Sequence, residues 1–122
     1  MIDYLDGVEA ARDFFERTSQ ESLLYVSVVS VVELFAGKDT DKPEKWAAIE
    51  TLLENFFIVE LDGKIARRAG SLRRVYRQPF ADTIIAASAL HHGLSMVTRN
   101  KRDFEPLKKE FVRIGQQIVY PY

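Results

Sequence analysis

The sequence predicts an α/β fold, a mainly parallel β-sheet flanked by helices. Three observations point to it. Apolar, β-branched runs such as Leu23-Leu24-Tyr25-Val26-Ser27-Val28-Val29 read as strands buried on both faces, the habit of parallel sheets. Segments with apolar residues at helical spacing alternate with those runs, as βαβ units require. No internal repeat, low-complexity tract or Pro/Gly/Ser-rich linker divides the 122 residues, a length that suits one core and not two. Residues 1–122 therefore read as a single domain with right-handed crossovers.

The elements follow in order. Val8, Ala11, Phe14 and Phe15 make Gly7 to Thr18 an amphipathic helix. The strand from Leu23 to Val29 comes next. Ser30-Val31-Val32-Glu33 is an S-x-x-E capping box, starting a short helix that ends near Gly37. Asp39 to Pro43 is a polar loop, and Trp46, Ile49, Leu52 and Leu53 mark a helix from Pro43 to about Glu54. Phe56 to Leu61 is a second strand, closed by Asp62-Gly63. Ile65, Ala66, Ala69, Leu72 and Val75 recur at helical spacing to about Tyr76. Gln78-Pro79 breaks that helix from the next, Asp82 to His92, which Gly93 caps. A short strand at Leu94 to Val97, a helix from Asp103 to about Glu110 and a strand from Gln117 to Tyr120 complete the chain. The start is unusual: the chain opens on a loop end and a helix, where such domains open on a strand.

Composition narrows the class. Apolar residues are 47% and charged residues 29% of the chain, the balance of a globular protein. No apolar run approaches the roughly 20 residues of a membrane span, and no signal peptide opens the chain. The absence of cysteine excludes disulfides and thiolate metal sites and fits a cytoplasmic location. A formal net charge of -1 excludes coating of nucleic acid by bulk positive charge, so any such contact needs a local basic patch.

Three carboxylates fall near the carboxyl ends of the strands, where open parallel sheets bind ligands. Glu33 follows the first strand, Asp82 opens the long helix, and Asp103 follows the strand ending at Val97. Hydrolysis of a phosphodiester uses hard cations, and hard cations take oxygen ligands. Each acid also has a structural account. Spacing alone favours Glu33 as half of the capping box. Asp82 in a helix first turn complements the macrodipole, and cap and ligand are evenly matched there. Its apolar setting, Phe80-Ala81 before and Ile84-Ile85-Ala86-Ala87 after, demands that the charge be paired or metal-bound. Asn100-x-x-Asp103 reads equally as a cap. Ser30 and Thr98 are small hydroxyls beside these acids, either caps or supporting donors.

The same residues carry a family resemblance. Val26-Ser27-Val28-Val29-Ser30-Val31-Val32-Glu33-Leu34-Phe35-Ala36-Gly37 resembles the V-S-x-x-[ST]-x-x-E-L-x-x-G signature of PIN-domain ribonucleases of the VapC toxin type. Asp82-Thr83-Ile84-Ile85-Ala86-Ala87-Ser88-Ala89-Leu90, with His92-Gly93-Leu94, resembles the D-x-x-I-A-A-x-A-L-x-x-G-L segment. Val97-Thr98-Arg99-Asn100-Lys101-Arg102-Asp103-Phe104 resembles V-T-R-N-x-x-D-F. The motifs stand in the right order, and the likeness covers essentially the whole chain. The resemblance implies a three-layer PIN-like domain and a Mg²⁺- or Mn²⁺-dependent endoribonuclease, the toxin half of a toxin–antitoxin pair. It implies Glu33, Asp82 and Asp103 as catalytic, metal-site acids, supported by Ser30, Thr98 and Asn100. Arg73, Arg74, Arg77, Arg99 and Lys101 become candidates for holding the RNA backbone, although a solvated helix face explains any single one of them. The implied partners are an RNA substrate, a small antitoxin and a second copy of the chain, with no membrane.

The departure from the family pattern is at the start. Met1-Ile2-Asp3-Tyr4-Leu5-Asp6-Gly7 matches only the later part of the family's opening segment, so Asp3 corresponds to a non-catalytic acid. The usual first strand, central in the sheet, and its site aspartate are missing. A misassigned start, a decayed gene, or a fold compensated by a domain swap or borrowed strand are the accounts left open. The alternative function is a catalytically impaired PIN-like module that binds protein or RNA. A flavodoxin-like binding domain is disfavoured because no Gly-rich phosphate loop is present. Tyr4, Phe14 and Phe15 are candidates for dimer or antitoxin contacts, or for the core.

Overall fold

A computed structural model describes residues 25–98 and 100–120. The expected helix over Gly7 to Thr18, Leu23 and Leu24 of the first strand, Asp3, Tyr4, Phe14, Phe15 and Arg99 lie outside the described residues. Strand β1 is Tyr25–Ser27, followed by helices α1, Val28–Ala36, and α2, Pro43–Leu53. Strand β2, Phe57–Val59, leads to α3, Gly63–Tyr76, and α4, Phe80–His91. After β3, Met96–Val97, come α5, Lys101–Phe104, a 3₁₀ turn at Glu105–Leu107, α6, Lys108–Arg113, and β4, Ile118–Val119.

Both strand pairings are parallel, as the apolar runs predict. β1 pairs with β2 in the register Tyr25 with Phe57, Val26 with Ile58 and Ser27 with Val59. β3 pairs with β4, Met96 opposite Ile118 and Val97 opposite Val119. The two pairs are separate, and among the described residues no strand joins them.

The strands at Phe57–Val59, Met96–Val97 and Ile118–Val119 are shorter than the runs that predict them and the long helix starts at Phe80, ahead of Asp82, while two further differences have identifiable reasons. The first strand stops at Ser27, because that residue turns its side chain to accept from Val29 N at 3.2 Å and caps α1. Val28 and Val29 therefore enter a helix despite their β-propensity, an override of local preference by capping and packing. The single helix expected from Asp103 breaks into α5, the 3₁₀ turn and α6. Pro106 lies at the break, where it offers no N–H to continue an α-helical ladder.

The core is built around α4, in which Asp82 to Ser88 and Leu90 are all buried. Ala86 and Ala87, both at 0% exposure, let neighbouring elements approach closely. Two hydroxyls in this apolar setting satisfy themselves locally: Thr83 Oγ1 donates to Pro79 O at 2.9 Å and Ser88 Oγ to Ile84 O at 2.8 Å. Helix α3 offers Ile65, Ala69 and Leu72 to the same core. Phe104, Leu107 and Phe111 carry one apolar stripe across the Pro106 break. Gly93, at φ +66, closes α4 as its position in the sequence predicts, and Leu94 N donates to Ala89 O at 2.8 Å. Among the described residues no helix is long and apolar enough to cross a membrane.

Candidate active site

The first acid stands in α1. Because Ser27 is the cap, the S-x-x-E box expected at Ser30 does not form; the helix begins before Ser30 and its first turn holds no acid. Glu33 therefore sits in the helix body and does not cap it. Ser30 and Glu33, three residues apart, share a helix face. Ser30 is fully buried, and its Oγ takes no hydrogen-bond partner among the described residues. Helix α1 packs on β1 and on α4, the helix that carries the second acid.

Asp82 lies in the first turn of α4 with only 3% of its surface exposed. The cap residue of that helix, Pro79, supplies no side-chain bond to the free N–H groups. A carboxylate at this end is favoured by the helix dipole and disfavoured by burial, so its surroundings must include compensating groups. Just before it, Arg77 adopts a left-handed conformation (φ 56, ψ 37) that ends α3, and its N–H donates to Arg73 O at 2.8 Å. This turn directs Gln78 inward.

The third acid belongs to a hydrogen-bonded turn. Thr98 is fully buried, and its Oγ1 accepts from Asn100 N at 3.1 Å. Asn100 caps α5: its Oδ1 accepts from Asp103 N at 3.3 Å, and its Nδ2 donates to Asp103 Oδ2 at 2.8 Å. Arg102 Nε donates to Asp103 Oδ1 at 3.2 Å from an exposed side chain. The amide of Asn100 first, and then Arg102, hold the Asp103 carboxyl below the usual carboxylate range against partial desolvation. Asp103 is thus ionised and fixed in orientation at neutral pH.

Gln78 ties the turn before α4 to the third acid, and no motif in the sequence singles it out. Its Nε2 donates to the main-chain carbonyl of Asp103, while its Oε1 is buried without a partner among the described residues. The amide orientation follows from chemistry, since a carbonyl can only accept. The only signal in the sequence is a polar residue wedged between a helix end and Pro79, four positions before Asp82. Gln78→Leu should leave the Asp103 carbonyl without its donor and cost about 1–3 kcal/mol in urea unfolding. A loss near zero would make the amide a bystander.

The structure therefore brings the elements bearing the three acids into contact, through the packing of α1 on α4 and the Gln78 tie. It does not close them into a cage: among the described residues no three His, Cys, Asp or Glu side chains form a group able to hold a metal ion. The donors at hand are carboxylate, hydroxyl and amide oxygens. With the unpartnered Ser30 Oγ and Gln78 Oε1, they have the chemistry of a hard divalent cation and its bound water. Of the expected cations, Arg74 and Arg77 are exposed at the end of α3. Lys101 is exposed, its Nζ 5.6 Å from the Tyr120 ring centre, and Arg73 lies 5.5 Å from that of Phe80.

A parallel α/β domain with these acids on adjoining elements defines a class, and comparison identifies it. The PIN domain family matches residues 1–110, and the chain belongs to that family, to its VapC type. It is 36% identical over 126 residues to Ribonuclease VapC10 of Mycobacterium tuberculosis (strain CDC 1551 / Oshkosh), covering 96% of this chain and 92% of that protein. The protein of the same name in strain ATCC 25618 / H37Rv matches to the same extent. Among solved structures, a toxin–antitoxin complex from Klebsiella pneumoniae contains a chain similar at a TM-score of 0.73 and 26% identity, covering 99% of this chain and 91% of that one. DNA-bound VapBC from Salmonella typhimurium is similar at a TM-score of 0.70 and 24% identity over 98% and 90% of the two chains, a likeness of fold.

Proposed function

We propose that this chain is a metal-dependent endoribonuclease that hydrolyses RNA phosphodiester bonds, the toxin component of a toxin–antitoxin pair. The observation that carries the reading is 36% identity, across 96% of the chain, to a protein named as a ribonuclease. Glu33, Asp82 and Asp103 are the acids assigned to the metal, Mg²⁺ or Mn²⁺. When bound, such a cation polarises the scissile phosphate and acidifies an attacking water. The chain's own residues supply the rest. Asn100, whose N–H bonds to Thr98, and Arg102 hold Asp103 ionised and oriented, and Ser30 adds a buried hydroxyl on the Glu33 face. Arg74, Arg77, Arg99 and Lys101 counter the charge of the RNA backbone. A small antitoxin protein as partner is supported by the toxin–antitoxin complex among the similar structures. A homodimer and a cytoplasmic location complete the reading.

The alternative is a catalytically impaired PIN-like module that binds protein or RNA. A single assay separates the two. The purified chain should cut RNA with added Mg²⁺ or Mn²⁺, stop in EDTA and recover when metal is returned. Cleavage no greater than that of an Asp82→Asn control would leave the binding module as the function.

A further inference from the structure

We propose that the outward crest of α3, formed by Lys64, Arg67, Ser71 and Arg74, is a track for single-stranded RNA extending beyond the nucleotides at the site of cleavage. The inference rests on the ribonuclease reading and adds a binding surface to it. Helix geometry defines the crest. Ile65, Ala69 and Leu72 are the buried side of α3, and the four crest residues, spaced 3, 4 and 3 apart, lie on the opposite side and are exposed. Gly70, beside the crest, leaves open space where a Cβ would stand.

The charge pattern is wrong for a helix that merely faces water. Gly63–Tyr76 holds Lys64, Arg67, Arg68, Arg73 and Arg74 and no acid, a charge of +5 in a chain of net charge -1. By difference, the other residues together carry -6. A solvated helix ordinarily interleaves both signs at i, i+4. Arg73 and Arg74 in the last turn suit the dipole, but Lys64, Arg67 and Arg68 crowd the positive end, where the first turn holds no acid. The cap Asp62, which accepts from Ile65 N at 2.8 Å, is the acid at this end and faces three cations. Among the described residues, Arg67, Arg68 and Arg74 form no ion pair; the ion pairs lie elsewhere, at Lys42 with Asp39, Arg102 with Asp103 and Arg113 with Glu110. Asp62 and the Phe80 ring, facing Lys64 and Arg73 in turn, compensate only part of this charge, and Arg67, Arg68 and Arg74 have no acid paired with them among the described residues. A polyanion is the complementary partner.

Its position selects the partner. Helix α3 ends at Tyr76, directly before the Arg77-Gln78 turn that leads to Asp82. From Lys64 to Arg74 the crest runs ~15 Å at the ~1.5 Å rise of a helix, about four nucleotides at the ~3.4 Å per nucleotide of a stacked strand. RNA held along it arrives at the acids from one side.

The test measures binding of a single-stranded RNA in EDTA, where cleavage is halted, across a salt series. For Lys64→Gln/Arg67→Gln/Arg74→Gln, the slope of log K against log salt should shrink by about 2, near 0.7 per lost phosphate contact, with affinity at low salt down on the order of 10–100-fold. The melting temperature should hold, because removing Lys64 and Arg67 from the positive end of the helix offsets the loss of Arg74 from its negative end. A control of equal charge change off the track, Lys38→Gln/Lys45→Gln/Lys108→Gln, should keep the wild-type slope. An unchanged slope in the α3 variant overturns the proposal. So does an equal loss in the control, which would make the effect one of net charge, or loss of binding to an acidic protein with RNA binding intact. Wild-type protein that binds RNA with this slope change but cuts none with Mg²⁺ or Mn²⁺ overturns the ribonuclease reading and leaves the track standing.

Discussion

Asp82→Asn is expected to lower RNA cleavage by about 10²–10⁴-fold, the range of a positioned acid–base group, while leaving the melting temperature unchanged or higher. The two readouts diverge because of where the carboxylate sits. It is 3% exposed, and the residues after it in α4, from Thr83 to Ser88, are buried as well. Keeping a charge there costs stability, which the isosteric amide relieves. The opposing losses are the interaction with the helix N-terminus, about 0.3–1 kcal/mol, and part of that with the groups that compensate the charge, whose hydrogen bonds the amide can keep. A group retained at a structural cost and needed for activity is the pattern of a functional site, where stability and activity trade against each other. Cleavage rate and thermal unfolding on the same preparation decide it. If the variant loses stability along with activity, Asp82 is a structural tie, and the role falls to Glu33 and Asp103.

Much of this fold was legible because its strongest signals are local. The helix of Ile65, Ala69 and Leu72, its stop before Gln78-Pro79, and the Gly93 closure follow from period and backbone chemistry alone, and each stands in the structure. The first strand is shorter than its apolar run because β-branched residues look alike in a buried strand and a buried helix. Only the choice of Ser27 over Ser30 as cap ends β1 where it ends. That same choice could not be read for Glu33: spacing alone favoured a capping role, which the earlier helix start removes. For Asn100, the expected cap stands in the structure, and the same amide donates to the Asp103 carboxylate. Gln78 was illegible because its partner, the Asp103 carbonyl, is 25 residues away in sequence, and no local pattern encodes such a tie.

The largest stability effect should come from Phe104→Ala, about 3–5 kcal/mol in denaturant unfolding, against a total of only ~5–15 kcal/mol for a typical domain. Phe104 is fully buried with Leu107 and Phe111, and it directly follows Asp103. Its ring anchors the short α5 helix from below while Asn100 and Gln78 hold Asp103 by hydrogen bonds. An isolated four-residue helix has no stability of its own, so the orientation of this acid depends on that anchor. Phe104→Leu, which keeps most of the volume, should lose less than the alanine variant and retain cleavage. If Phe104→Ala unfolds with a loss under about 1 kcal/mol, the ring does not anchor the site. If the leucine variant is stable yet inactive, the ring contributes to the site by more than packing. The expected order, wild type above leucine above alanine in both stability and cleavage, would tie the geometry of Asp103 to the core that the apolar stripe of Phe104, Leu107 and Phe111 builds.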